Sequence, residues 1–259
     1  YRTGEPSISE QHIRRLLSTL QIDAEIQDAD DFLYVHHEAH VIELCTGPHT
    51  GYLRYSEDDK LDLQRPAQNL PSEKEAIDRA SQLLVELGLM PDAVPTPQTD
   101  YFRWGVIDGN GEWVKQGTSA LVVGFVFQVG EYRFIGPGAK AGVVFGENGQ
   151  VVAVSRIWRE IEPDREAPIH QMDKALGLFK EYWPPEADQD ALSRAEVLTT
   201  VQVEDVYLAY FAEPGMVPQP QIEPVYVFEG TSTVRSQGEE GAIRDSDRFH
   251  IVVPALIDR

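Results

Sequence analysis

Asn148-Gly149 constrains what this chain can fold into more than any other pair of residues in it. A two-residue type I′ turn needs positive φ at both central positions, and Asn-Gly supplies them at little cost. The apolar run Ala141-Gly142-Val143-Val144-Phe145 precedes the pair and Val151-Val152-Ala153-Val154 follows it, which predicts two paired antiparallel strands. The wider stretch Tyr132–Arg159 reads as strand, turn, strand, hairpin turn and strand, with the first turn at Gly136-Pro137-Gly138-Ala139-Lys140.

Three helices punctuate the strands. Ser7 and Glu10 have the spacing of a capping box, and Ile13, Leu16, Leu17 and Leu20 recur at helical spacing, predicting a helix over about 9–20. Ser72 and Glu75 repeat the signature ahead of Ala76, Ile77, Ala80, Leu83, Leu84 and Leu87, with Gly88 placed to end the helix. A third helix is expected over Pro168–Tyr182, on an apolar face of Met172, Ala175, Leu176 and Phe179, and Glu186–Glu196 reads as a further short one. Between the first two helices, β-like runs are expected at Ala24–Ile26, Phe32–Val35, His40–Cys45 and Tyr52–Tyr55, followed by a polar linker or exposed loop over Glu57–Leu70. A long β region runs from Tyr101 to Ile161, turning at Asp108-Gly109-Asn110-Gly111. The last strands are expected at Val197–Phe211, Ile222–Glu229 and Phe249–Leu256, with a mobile Gly-rich loop over Thr231–Asp247.

Helix followed by several antiparallel strands, without regular βαβ alternation, predicts an α+β protein. The expected divisions are residues 1–60, 71–163 and 167–259, each a helix followed by antiparallel strands.

The last two of these units resemble the PepSY-like modules of extracytoplasmic bacterial proteins, in particular the YycH/YycI-type envelope regulators. The resemblance rests on Pro71-Ser72-Glu73-Lys74-Glu75-Ala76-Ile77-Asp78-Arg79-Ala80, on Gly142–Val151, and on the ending Val206–Tyr210, Glu223–Phe228 and Val253-Pro254-Ala255. It covers about residues 71–257 and implies two or three tandem cystatin-like units. It also implies binding, inhibition or regulation outside the membrane, with no catalytic residues to carry over.

Charge narrows the partners. Twenty-two basic side chains against 43 acidic ones give a net charge of −21, which repels phosphate backbones and anionic lipid, so nucleic acid is not expected as a partner. No apolar run approaches the ~20 residues of a membrane-spanning helix. Cys45 is the single cysteine, so no intrachain disulfide forms. The sequence starts at Tyr1 without a methionine, which a cleaved signal peptide or trimming of the chain would explain equally, and the expectation, leaning on the first, is a secreted or cell-envelope protein.

The chemistry on offer is limited. His36, His37, His40 and His49 cluster within fourteen residues, with Glu38 and Cys45 among them. On an extended strand His36, Glu38 and His40 share one face, and imidazole and carboxylate are zinc or copper ligands. The spacing is not H-E-x-x-H, and a polar hairpin tip is the other reading of the same residues. Asp108–Glu112 lacks the glycine and distal glutamate of a calcium loop, and Gly136–Lys140 lacks Walker spacing, so both read as turns. Arg156, Trp158 and Arg159 read either as a recognition patch or as a core tryptophan beside arginines paired with acids. Tyr101, Phe102, Trp104 and Trp113 read either as a sugar-binding face or as strand core. No nucleophile elbow occurs. The expectation is therefore a protein without catalytic activity or cofactor, acting through contacts with another protein or with itself. The metal-binding reading through His36, Glu38 and His40 is the alternative.

Overall fold

The fold is taken from a computed structural model, which describes residues 1–60, 65–109, 112–183, 197–236 and 243–257. Two units emerge. One comprises Tyr1–Pro163 together with Ala212–Ile222, and the other Asp164–Phe211 together with Glu223–Arg259.

In the first unit the chain forms β1 (Arg2–Thr3), α1 (Glu10–Leu20), β2 (Gln27–Ala29), β3 (Phe32–His37), β4 (His40–Cys45) and β5 (Tyr52–Glu57). Then come α2 (Glu73–Glu86), β6 (Val94–Ile107), β7 (Trp113–Val129), β8 (Tyr132–Ile135), β9 (Lys140–Phe145), β10 (Val151–Ile157) and β11 (Ile161–Glu162). Nine of these strands share one sheet, in the order β8-β7-β9-β10-β5-β4-β3-β2, with β6 paired to β7. The expectation of two or three helix-plus-small-sheet units is overturned: strand outweighs helix by 48% to 18%, and the sheet is far larger than such a unit holds. The reason is hydrogen bonding across the expected division. Tyr52–Ser56 of β5 pairs with Ala153–Ile157 of β10, so residues 1–60 and 71–163 contribute strands to the same sheet.

Local signals explain the helices and the hairpin. Ser72 accepts from the Glu75 amide at 3.3 Å, and Gly88, at φ 71, ends α2 as expected. The start of α1 differs from expectation. Ser9 is its N-cap, and the Nδ1 of His12 accepts from the Ser9 amide at 3.1 Å, whereas Ser7 donates to Glu160 at 2.5 Å. At the β9–β10 hairpin Asn148 and Gly149 take φ 57 and φ 68, the positive values the turn requires. Arg79 of α2 holds that turn, donating to the Gly149 carbonyl at 2.6 Å while its guanidinium lies 4.9 Å from the Phe145 ring centroid. Ala76, Ala80 and Leu84 of α2 are buried, as are Leu121, Val123, Phe125 and Phe127 at alternate positions of β7. The 65–69 segment of the expected linker is pinned, since the Ala67 amide donates to Thr118 and the Asn148 amide to Gln68.

The second unit holds α3 (Met172–Tyr182), β12 (Val197–Phe211), β13 (Pro224–Ser236) and β14 (Ile243–Pro254), with the strands antiparallel in that order. Phe179 of α3 stacks on Phe228 at 4.7 Å between centroids, within a core of Ala175, Tyr226, Ile251 and Val253. Strands β13 and β14 extend into the expected loop. Thr231, Ser232 and Thr233 continue the ladder because β-branched residues and hydroxyls suit a half-exposed strand. The short helix expected at 186–196 lies outside the described residues.

Candidate functional site

The longest hairpin of the first unit runs on past its sheet. Leu121 of β7 is the outermost residue paired with β9, opposite Phe145, yet the β6–β7 ladder continues from Phe102↔Ala120 to Ile107↔Trp113. Two irregularities, at Phe102/Arg103 and at Val106/Ile107, interrupt this ribbon. At its tip, Asp108 Oδ1 accepts from the Glu112 amide at 3.0 Å.

The ribbon's surface is unlike that of the rest of the unit. Trp113 is 65% exposed and Val114 66%, and Phe102, Val106 and Ile107 are exposed with them. Two of the aromatics that read either as a sugar-binding face or as strand core, Phe102 and Trp113, thus stand in solvent. The six-membered ring of Trp113 rests on Gly105, where an added Cβ would lie 2.0 Å from its Cζ3. Trp104 and Pro66 both lie over Gly117 on the alternate face, with the Lys115 ammonium 5.1 Å from the Trp104 ring centroid. Its buried indole N–H finds no acceptor among the described residues.

A groove of about 640 Å³ opens here, within the roughly 300–1,000 Å³ range of small-ligand sites. Tyr101, Arg103, Gly105, Trp113, Gln116 and Thr118 line it. The Tyr101 hydroxyl donates to Glu73, in the first turn of α2, at 2.8 Å. That hydrogen bond to a carboxylate raises the tyrosine pKa, so Tyr101 stays a neutral donor. Tyr101 is thereby fixed, whereas Arg103, Gln116 and Thr118 make no side-chain hydrogen bond among the described residues. The site combines an aromatic platform with unspent donors. Among the described residues that line it, the groups present can bind and orient a ligand.

The other sequence candidates are placed elsewhere. The strand bearing the histidines reverses at Glu38-Ala39, with Glu38 at φ 52. His36 therefore sits on β3 opposite Val41, and His37 faces His40 across the turn, so His36, Glu38 and His40 do not line up along one extended face. His40 Nδ1 lies 3.2 Å from the Tyr55 hydroxyl. His49 Nδ1 lies 3.0 Å from the Thr3 hydroxyl. Among the described residues no group of three or more His, Cys, Asp or Glu side chains converges as metal ligands. Cys45 is buried.

Arg156, Trp158 and Arg159 are all buried. Trp158 packs edge-on to Phe127 at 5.1 Å, and Arg156 pairs with Glu160 at 2.6 Å. Arg159 finds carbonyls: it donates to His49, Glu213, Pro214 and Val217 at 2.5–2.8 Å, tying Ala212–Ile222 into the first unit. Burial lowers the pKa of both arginines, yet each remains a cation because the guanidinium value starts so high. The Gly136–Lys140 turn joins β8 to β9, and the Gly138 amide donates to Ala212. These groups hold the first unit together.

No protein-family model matches the chain, and no curated protein matches it. Among the described residues no helix is long and apolar enough to cross a membrane.

Tyr101 and Trp113 of the groove were legible in the sequence as a candidate binding face, with strand core as the other reading. The signal that could have separated the two readings was the density of glycine and polar residues between Arg103 and Thr118. Gly105, Asp108, Glu112, Lys115, Gln116 and Gly117 leave too little apolar surface for a second layer to cover.

Proposed function

We propose that this protein is a non-catalytic binding protein that acts by contact with another protein, and that the β6–β7 ribbon carries the contact. One observation carries the reading: Trp113, Val114, Val106 and Ile107 are exposed together on an extension of the sheet. Apolar side chains grouped in contact with water on one element are a general mark of interaction surfaces, which supports this reading. Tryptophan beside arginine is also the composition that concentrates binding free energy at interfaces. Strand β6 pairs only with β7 among the described residues, so it offers backbone donors and acceptors along its other edge as well.

Site-specific photocrosslinking in the native cell tests this. A photoreactive phenylalanine in place of Val114 is expected to yield discrete protein adducts. The same residue in place of Val85, an equally exposed (63%) valine on α2, is expected to yield none. Equal adduct yield at both positions, or no adduct at either, would refute the ribbon as the contact surface.

A further inference from the structure

The geometry points to a proline-rich segment with basic flanks, in polyproline II conformation, as the ligand of the Trp113 groove. This inference rests on the ribbon being a protein-contact surface and names the chemistry of the partner.

Three features of the groove match three features of such a segment. The first is the aromatic spacing. Trp113 is seated on Gly105, so one side of its ring is supported by the strand, and the side chain remains 65% exposed. Tyr101 lines the same groove, four residues before Gly105 on β6. Four residues of extended strand span about 13 Å, and four residues of polyproline II span about 12 Å. Two prolines four apart therefore reach both rings.

The second feature is the donor set. A polyproline II backbone makes no internal hydrogen bonds, so its carbonyls are open acceptors, and proline contributes no donor. Arg103, Gln116 and Thr118 lie along the groove, with their side-chain donors uncommitted among the described residues. A β-strand ligand would pair with backbone at the β6 edge instead, leaving these side chains without a role.

The third feature is charge. Glu73 accepts the Tyr101 hydroxyl at one end of the groove, and Asp108 and Glu112 stand at the hairpin tip beyond Trp113. Carboxylates at the two ends, with Arg103 in the lining between them, on a chain of net charge −21, favour a ligand whose ends are cationic over one whose ends are acidic. A neutral saccharide would use the aromatic rings and leave this acidic rim without effect.

The test uses the full chain and follows its tryptophan indole N–H signals by NMR. The Trp113 signal is assigned from its absence in Trp113→Phe. The probe is a synthetic proline-rich peptide with two prolines four apart and arginines at both ends. The expected result is a saturable shift of the Trp113 signal. Binding should weaken about tenfold or more in Trp113→Ala and in Arg103→Ala, as loss of an aromatic or arginine anchor does. It should also weaken when the terminal arginines are replaced by glutamates, and with rising salt. Unchanged melting temperatures of both variants show that the fold is intact.

No saturable shift at millimolar peptide would overturn the inference. So would an equal response to a peptide with glycine in place of proline, or saturation by a neutral cello-oligosaccharide in its place. If the peptide fails while Val114 still yields crosslinked adducts, the ligand chemistry is wrong and the contact surface stands. If the adducts are absent as well, both readings fall.

Discussion

Trp113 rests on Gly105 across the β6–β7 ribbon so closely that an added Cβ would stand 2.0 Å from Cζ3 of the indole. The glycine makes room for the ring, and the ring covers backbone that a glycine leaves bare. This kind of cross-strand cover compensates for the poor strand propensity of glycine. Gly105→Ala is expected to lift Trp113 off the strand without unfolding the protein, because the ribbon lies outside the core. Near-ultraviolet circular dichroism should change, while the free energy of unfolding should move by less than about 1 kcal/mol. A large loss of stability would show that the ribbon is integral to the fold.

Trp104 offers a contrast on the same ribbon, since its indole N–H is buried without an acceptor among the described residues. An unmet buried donor costs about 1–3 kcal/mol, so Trp104→Phe removes that penalty along with some packing area. The two effects oppose each other. The expected outcome is a stability within about 1 kcal/mol of the parent by urea unfolding, far short of the usual cost of shrinking a half-buried tryptophan.

Arg159 predicts the opposite. Its guanidinium satisfies the carbonyls of His49, Glu213, Pro214 and Val217 from a position 1% exposed. Arg159→Met leaves these acceptors without their donor. The expected loss is about 3 kcal/mol in the unfolding of the first unit. Arg159→Lys should recover little, because one ammonium cannot reach carbonyls arranged for a planar fork. Urea unfolding of the three proteins, followed by Trp158 fluorescence, gives the comparison.

His12 makes the start of α1 sensitive to pH. Burial lowers its pKa below the ordinary 6.5, and its Nδ1 must be unprotonated to accept from the Ser9 amide. The unfolded chain therefore binds the proton more readily than the folded one. The stabilisation is complete above pH 6.5 and is lost as pH falls from there through the folded value. Thermal melts from neutral pH down to about pH 5 should show a falling midpoint in the parent. His12→Gln keeps an acceptor at the same helix position without a titrating group, so its midpoint should fall less over the same range. Parallel curves would exclude His12 as the source.

In the second unit, Phe179 stacks on Phe228 and contacts Phe249 and Trp183. Phe179→Ala should cost about 3–4 kcal/mol through lost burial and the cavity left behind. Loss of near-ultraviolet signal from these rings at lower urea concentration would register it. A cost below about 1 kcal/mol would mean that the site collapses around the gap.

Much of the local structure was legible because its causes are local. Asn148-Gly149 forced a hairpin between Val143-Val144 and Val152-Val154, and Ser72 with Gly88 bounded α2. The choice between Ser7 and Ser9 as the first cap was not legible in the same way. Ser7 is drawn to Glu160 and Arg156, more than a hundred residues away, and this leaves Ser9 and His12 to form the cap.

The sequence by itself determined that Asn148-Gly149 closes a hairpin and that Ser72 and Gly88 bound α2, because the causes are local. Only the tertiary structure decided which strands are neighbours. Pairing between β5 and β10 brings together residues about one hundred positions apart, and backbone hydrogen bonds are blind to side-chain identity, so no local pattern encodes that choice. The same pairing made one broad sheet of what read as separate helix-plus-sheet units. At the far end of β6 and β7 it left Trp113 65% exposed. Whether Trp113 is core or surface depends on what lies above it, and that is a property of the assembled sheet, not of the residues beside it in the chain.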